Sequence, residues 1–187
     1  MNNANNVSTG KPNKTGAIYY APFGTNLPTS TDDALDEAFK NLGYVSEDGL
    51  TNDNSPESDQ IKAWGGDTVI NNQTGRPDSF QFTLLESLNV DVLKTVYGAD
   101  NVIVDASGNI TTKATADEMP GGSWVFDMKM RGDRKRRIVI PNGTISELGT
   151  ITYKDDEAVG YPLTITDVPD ASGVYHYEYT KAATPSA

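Results

Sequence analysis

The sequence predicts a mainly β fold: an antiparallel β-sandwich or barrel of two packed sheets, with one flanking α-helix and a long acidic loop. Roughly eight or nine short segments alternate apolar and polar residues in the manner of strands. Turn-forming residues separate them, since the chain has 17 glycines and 10 prolines. One segment has helical periodicity with recognisable ends, and no repeat of fixed period is visible.

The length of 187 residues suits a single domain with short flanking segments. Residues 1–16 are polar and lack periodicity, so we expect a flexible N-terminal arm. The domain is predicted to cover residues 17–180 and to contain the long loop at residues 46–62. The small residues at 181–187 predict a disordered tail.

The domain begins with a short apolar and aromatic run at residues 17–22, which predicts a first strand. Residues 31–42 then predict a short helix, with Thr31 as its N-cap and Gly43 as its end. Four apolar residues lie at helical spacing there: Leu35, Ala38, Phe39 and Leu42.

The next segment, residues 46–60, is acidic and almost without apolar side chains. It predicts a long functional or mobile loop, because solvated Ser, Asn and Asp side chains do not offset the entropy of ordering. Strands follow in "IKAWGG", "DTVINNQTG" and "DSFQFTLLES", with breaks at Gly65-Gly66 and Gly75. Trp64 either anchors the end of the loop or belongs to the core.

The helix is predicted at residues 88–98, with Asn89 as its cap and Gly98 as its stop. A hairpin follows around residues 107–109. "SWVFDMKM" and "KRRIVIP" are predicted strands, and Asn142-Gly143 predicts a hairpin turn after them. "VGYPLTITDVP" and "VYHYEYTK" are the closing strands.

Positive charge is concentrated at one place in an acidic chain. The net charge is −11, yet six of the 15 bases fall between Lys129 and Arg137. Placing apolar faces together puts Phe126 opposite Ile138 or Ile140, which requires an odd loop, most simply Arg131-Gly132-Asp133. The sequence therefore predicts a charged hairpin tip with Gly132 at a positive φ.

Residues typical of enzymes and metal sites are scarce. Cysteine is absent, and the one histidine, His176, is predicted to lie beside a carboxylate on a solvent face. A catalytic base is the less favoured interpretation, because no nucleophile motif accompanies it. "GKPNKT" lacks the ending of a phosphate loop, and the acids from Asp53 onward lack the spacing of a calcium loop. We predict no enzyme, catalytic residue, cofactor or metal.

The acidic balance also disfavours ordinary DNA binding, in which lysine and arginine neutralise phosphates. No leading apolar run is typical of a signal peptide, and no segment is long and apolar enough to suggest a membrane span.

Residues 43–69, "GYVSEDGLTNDNSPESDQIKAWGGDTV", are more distinctive than any of these motifs. They resemble the major tail tube protein of long-tailed bacteriophages. "FQFTLLESLNVDVLKTVYG" and "KRRIVIPNGTI" are similar to the same family, and the resemblance covers about residues 15 to 180.

The resemblance implies a structural virion protein that forms six-membered rings, which stack into a hollow conduit for DNA delivery. It implies assembly in the bacterial cytoplasm around a tape-measure protein, a tail terminator as a further partner, and DNA passing without specific binding. A tube-fold terminator or secretion-system ring protein is the alternative, and an unrelated carbohydrate-binding β-sandwich is less favoured.

Within this family the long loop reaches a neighbouring subunit, which suggests a role for the basic hairpin. We predict that the hairpin tip meets the acidic loop of an adjacent subunit, although a merely solvated tip is the competing interpretation. The predicted interface residues are Glu47, Asp48, Asp53, Pro56, Glu57, Asp59, Trp64, Arg131, Arg134 and Arg136.

Overall fold

A computed structural model describes residues 2–181. The fold is mainly β, and every strand pair in this part of the chain is antiparallel. The strands are β1 (Gly10–Pro12), β2 (Ile18–Ala21), β3 (Lys40–Asn41), β4 (Thr51–Asp53), β5 (Glu57–Lys62), β6 (Thr68–Gly75), β7 (Ser79–Leu84), β8 (Val102–Val104), β9 (Ile110–Thr112), β10 (Gly121–Met130), β11 (Lys135–Leu148), β12 (Tyr161–Asp167) and β13 (Tyr177–Lys181).

One nine-stranded sheet forms the body, in the order β3-β2-β10-β11-β12-β7-β4, with β1 also paired to β10 and β13 to β11. Two small sheets, β5-β6 and β8-β9, are separate from it. Strand β11 is long enough to pair with β13 near its start and with β12 near its end. The sheet therefore bends, and its two parts pack in the manner of a sandwich.

Aromatic side chains from β7 and β10 fill the space between these two parts. Phe80 stacks on Phe126 at a ring distance of 5.5 Å, and Phe82 contacts the edges of Trp124 and Phe126 at 6.0 and 5.6 Å. All four rings are buried. Rings at these separations gain about 0.5–1.5 kcal/mol per pair beyond the burial of their surface.

Helix α1 (Val90–Tyr97) flanks the core as predicted, and its ends follow the sequence signals. The Asn89 side chain accepts a hydrogen bond from the Asp91 backbone N–H at 3.0 Å, and the Gly98 N–H donates to Lys94 at 3.0 Å. Val92, Leu93 and Val96 turn inward and are buried. A 3-10 turn (Ala99–Asn101) and the predicted β8–β9 hairpin follow.

The register of β10 and β11 also agrees with the prediction. Phe126 lies opposite Ile138, and the loop consists of Arg131-Gly132-Asp133, closed by a 2.8 Å hydrogen bond from Met130 N to Arg134 O. Gly132 has a φ of +76° and Asp133 a φ of +55°. Matching apolar faces was sufficient to predict this loop, because a shift of one residue would expose the whole apolar face.

The predicted helix at residues 31–42 is wrong, and Thr31 caps nothing. The Asp33 carboxylate accepts from Thr29 N and Ser30 Oγ, at 2.8 and 2.7 Å, and so favours local turns. The Arg137 guanidinium donates to the carbonyl oxygens of Ser30 and Asp33, at 3.0 and 2.8 Å. A helix over residues 31–42 would need the Asp33 oxygen for its own hydrogen-bond ladder.

Apolar residues of this non-helical segment are nevertheless buried. Phe39 packs with Ala21, Val125 and Val139 in a second, smaller core on the other side of β10 and β11. Leu42 joins the main core. The helical spacing therefore identified two buried residues, Phe39 and Leu42, and two partly buried ones, Leu35 and Ala38, but predicted the wrong backbone conformation.

The predicted turn at Asn142-Gly143 is also wrong, since β11 runs through it. Gly143 lies beneath Trp124, whose Nε1 donates to the Gly143 carbonyl at 3.1 Å. A Cβ at Gly143 would lie 2.7 Å from Ile165 and 2.8 Å from Trp124. Glycine is required there for close packing rather than for a turn.

Two further expectations need correction. The acidic stretch at residues 46–60 is not a continuous loop, because it contains β4 and the start of β5. The N-terminal residues 1–16 include β1, which pairs with the end of β10. The predicted tail lies outside the described residues, apart from Lys181 at the end of β13.

Candidate assembly surfaces

Strands β5 and β6 form a hairpin whose strands pair only with each other. Its tip is Trp64-Gly65-Gly66, closed by a 2.8 Å hydrogen bond from Ala63 N to Asp67 O. Gly65 and Gly66 have φ angles of +120° and +102°, which the tight turn requires and other residues rarely adopt. The two glycines that looked like breaks between strands are a hairpin turn.

Large apolar side chains on this hairpin are exposed. Trp64 is fully exposed, so the alternative that it belongs to the core is wrong. Ile61 and Ile70 lie opposite each other across the ladder and are 51% and 47% exposed, and Val69 is 59% exposed. A two-stranded hairpin is only marginally stable in water, and these side chains belong to neither hydrophobic core of the described chain. They form a surface suited to burial against another molecule.

The acids that flank this hairpin have no basic partner within residues 2–181. Residues 47–59 contain five acids and no base. None of these acids makes an ion pair with a base in the described chain. Asp53 accepts only from Ser55, at 2.7 Å. Pro56 is exposed beside them at the base of the hairpin.

Most of the bases between Lys129 and Arg137, by contrast, have acidic partners in their own chain. Lys129 pairs with Asp133 at 3.2 Å, and Arg136 pairs with Glu178 at 3.4 Å. Both contacts are substantially exposed and contribute little stability.

Lysine pairing also changes the acidity of one surface carboxyl. Lys181 and Lys135 donate to Asp32 at 2.6 and 2.9 Å and lower the pKa of its carboxyl to about 2. Asp32 therefore stays ionised throughout the ordinary pH range. These contacts join the start of β11 and the end of β13 to the non-helical segment.

Arg137 belongs to the fold rather than to the surface. It is buried and holds Asp127 through two hydrogen bonds of 2.7 and 2.8 Å, and the pair raises the pKa of the guanidinium. Its remaining donors satisfy the carbonyls of Ser30 and Asp33. This arginine therefore fastens the 31–42 segment to the sheet.

Two bases of the tip are left without an acidic partner in the described chain: Arg131 and Arg134. The Arg131 side chain is exposed, and only its backbone N–H is engaged, by Ser8 Oγ at 2.8 Å. Arg134 Nε is buried and lacks a hydrogen-bond partner. The structure does not bring these arginines into ion pairs with the acidic segment of the same subunit.

The sequence interpretation missed the exposed apolar part of the hairpin. The signal was present, because Gly65-Gly66 lies between "IKA" and "TVI", two short apolar runs that a hairpin turn can join. Exposure of the runs could not be predicted, since alternation looks the same whether the apolar face meets a core or another subunit.

The family comparison agrees with this geometry. The model of the phage tail tube protein family matches residues 2–183, nearly the whole chain, and the chain belongs to that family. It is a structural subunit of a phage tail tube, located in the tail of the virion. No curated protein gave a significant match to the chain. No helix in residues 2–181 is long and apolar enough to cross a membrane.

The different contributions of the buried Arg137 and the exposed Arg131 to stability are testable. We expect Arg137→Met to lower the free energy of unfolding by about 3–5 kcal/mol, because it leaves the Asp127 carboxylate buried without its partner. Arg131→Ser should change it by less than about 0.5 kcal/mol, since that side chain is exposed. Urea unfolding followed by circular dichroism measures both. Equal midpoints for the two variants would contradict a structural role for Arg137.

Proposed function

We propose that this subunit forms six-membered rings that stack into a hollow tube through which DNA passes into the host. The observation that supports this most directly is the exposed apolar β5–β6 hairpin, whose large side chains join neither hydrophobic core in residues 2–181. Family membership supports self-assembly into a tube. In our proposal the hairpin packs on a neighbouring subunit or ring.

Burial of the hairpin's apolar side chains against a neighbour would contribute substantially to the free energy of assembly. Complete burial of an apolar side chain stabilises by about 1.5–3 kcal/mol, and Ile61, Trp64, Val69 and Ile70 all offer exposed surface. The base of the hairpin is fixed, because β4 pairs with β7 before it and β7 itself begins soon after it. A rigid base lowers the entropic cost of placing the hairpin on a neighbour.

Charge complementarity is the second part of the proposed contact. Within residues 2–181, no base pairs with Glu47, Asp48, Glu57 or Asp59, and no acid pairs with Arg131 or Arg134. Arg136 is a weaker candidate for this contact between subunits than the sequence suggested, because its guanidinium already pairs with Glu178 in the same chain. Exposed pairs contribute little individually, but repeated around a ring they set the register and the salt dependence of assembly.

The remaining parts of the proposal follow from the net charge and from the resemblance. A net charge of −11 suits a channel wall that repels phosphate and lets DNA slide, and retention of DNA by assembled tubes at physiological salt would contradict that role. We infer a tape-measure protein and a tail terminator as partners, assembly in the host cytoplasm, and no catalytic role.

Shortening the β5–β6 hairpin tests the central contact. Because Glu57 lies opposite Gly75, residues 58–74 can be replaced by Asn-Gly, a dipeptide suited to a two-residue turn. We expect the variant to fold with an almost unchanged thermal transition, since every large side chain removed is exposed. It should form no tubes in electron micrographs under conditions in which the unaltered protein does.

Point variants provide the matched control. Trp64→Ser should weaken assembly, whereas Tyr153→Ser, which removes an aromatic ring that is 73% exposed elsewhere, should not. Normal tubes from the shortened protein would rule out the hairpin as the assembly contact. Single rings from the unaltered protein, with no tubes of indefinite length, would favour a terminator over a tube subunit.

Charge exchange tests the ionic part of the contact. Arg131→Glu combined with Arg134→Glu should raise the concentration needed for assembly, because both side chains would then face unpaired acids. Adding Glu57→Lys and Asp59→Lys should partly restore assembly, and sedimentation at several salt concentrations measures the effect.

Lys154→Glu is the control, because Lys154 is an exposed base with its own partner, Glu157, at 3.0 Å. If the arginine replacements assemble like the unaltered protein, the tip is merely solvated. An unrestored quadruple variant would show that the tip contacts other acids.

A further inference from the structure

Two buried carboxylates face each other at the start of β7 and the end of β12. Thr166 lies opposite Ser79 in the ladder, and the next pair is Asp167 and Asp78, joined by a 3.0 Å hydrogen bond from Asp167 N to Asp78 O. Asp78 is fully buried and Asp167 is 4% exposed. Like charges directly opposite each other destabilise a ladder, so this pair requires a compensating charge or proton.

The histidine of the chain completes the cluster. His176 Nδ1 contacts Asp78 Oδ2, and the imidazole ring packs edge-on against Phe80 at 5.2 Å. Its side chain is only 15% exposed, so the predicted position on a solvent face is wrong. Asn52 Nδ2 donates to Asp78 Oδ1 at 2.7 Å and fixes the other oxygen of that carboxylate.

Asp167 is the unexplained member of this cluster. Both of its carboxylate oxygens are buried and have no hydrogen-bond partner. Burial, together with the nearby Asp78 carboxylate, raises the pKa of Asp167 to about 8. Neither the histidine nor Asn52 donates to it, so nothing in the described chain stabilises its ionised form.

We propose that Asp78, Asp167 and His176 form a binding site for one divalent transition-metal ion of the Zn²⁺ type. One ligand atom from each residue lies within 4.8 Å of the others, and the Asp167 carboxylate has no hydrogen bond that would resist rotation toward a shared ion. A cation there would supply the missing charge and give the orphaned oxygens a partner.

The ligand set favours this class of ion over calcium or magnesium. Two carboxylates and an imidazole nitrogen suit Zn²⁺ or Mn²⁺, and three protein ligands leave one position for water. Calcium takes six to eight oxygen ligands, which this cluster does not offer. Glu178 Oε1 lies 3.8 Å from His176 Nε2, beyond hydrogen-bond distance but near the ring nitrogen that does not contact Asp78.

Such an ion would join three parts of the sheet that are distant in sequence. Asp78 precedes β7, Asp167 ends β12, and His176 precedes β13. Among the described strands β13 pairs only with β11, so the ion would add a second strong attachment between this edge strand and the opposite part of the sandwich. This role is independent of the assembly contacts proposed above.

The test uses the full chain without a polyhistidine tag, since His176 is then the only histidine and cysteine is absent. After dialysis against Zn²⁺ and removal of free metal, elemental analysis should find one zinc per chain. Metal addition should raise the melting temperature. Co²⁺ used as a probe should give a visible absorption band characteristic of bound imidazole and carboxylate.

Asp167→Asn and His176→Gln should each weaken zinc binding by more than about tenfold, whereas Asp156→Asn, which removes an exposed acid, should leave it unchanged. Asp167→Asn keeps the shape of the side chain without an ionisable group and is expected to fold. Absence of stoichiometric zinc in the unaltered chain, or equal binding in Asp167→Asn, overturns the proposal. If His176→Gln fails to fold, the zinc content and the Co²⁺ spectrum of the unaltered chain decide.

Discussion

The packing of Phe80 and Phe82 on Trp124 and Phe126 is the interaction on which the rest of the structure depends. It joins β7 to β10, which are not neighbours in the sheet, and so holds the bent sheet in its sandwich-like form. Replacing any one of these rings by a small side chain would leave a cavity, at a cost of about 3–5 kcal/mol. No residue of the β5–β6 hairpin belongs to either hydrophobic core of the described chain.

Strand β7, which this packing holds in place, positions both the β5–β6 hairpin and the Asp78 carboxylate. The β5–β6 hairpin ends at Gly75, only four residues before β7 begins, and Asp78 immediately precedes the strand. A rigid strand thus positions a hairpin that has no core of its own and a carboxylate that would otherwise be too costly to bury. Folding and the proposed assembly contact use different parts of the chain: Phe80, Phe82, Trp124 and Phe126 are buried in the body, whereas Trp64 of the hairpin is exposed.

Sequence alone predicted the elements whose signals are local. Asn89 and Gly98 delimit α1 because capping depends on neighbouring residues, and the three-residue tip around Gly132 followed from matching apolar faces. The resemblance in residues 43–69 indicated the family before the structure did, and the family model confirms it.

The failures came from interactions between residues far apart in sequence. Arg137 binds the Asp33 carbonyl that the predicted helix at 31–42 would need, and Trp124 packs against Gly143. The contact between Asp78 and His176 spans 98 positions, so no spacing rule could reveal it. The predicted interface residues stay a proposal, because a subunit alone does not determine what its exposed residues contact.

The chain contains two tryptophans, one in the core of the body and one on the β5–β6 hairpin. Their fluorescence gives the most direct test of the proposed assembly contact. Trp124 is fully buried, and Trp64 is fully exposed at the hairpin tip. Acrylamide should quench the fluorescence of the exposed Trp64 strongly in unassembled subunits. On assembly this quenching should weaken, and the emission maximum should move to shorter wavelength, because Trp64 becomes buried. A Trp64→Phe variant should show neither change. Quenching of Trp64 that stays as strong in finished tubes as in free subunits would contradict the account.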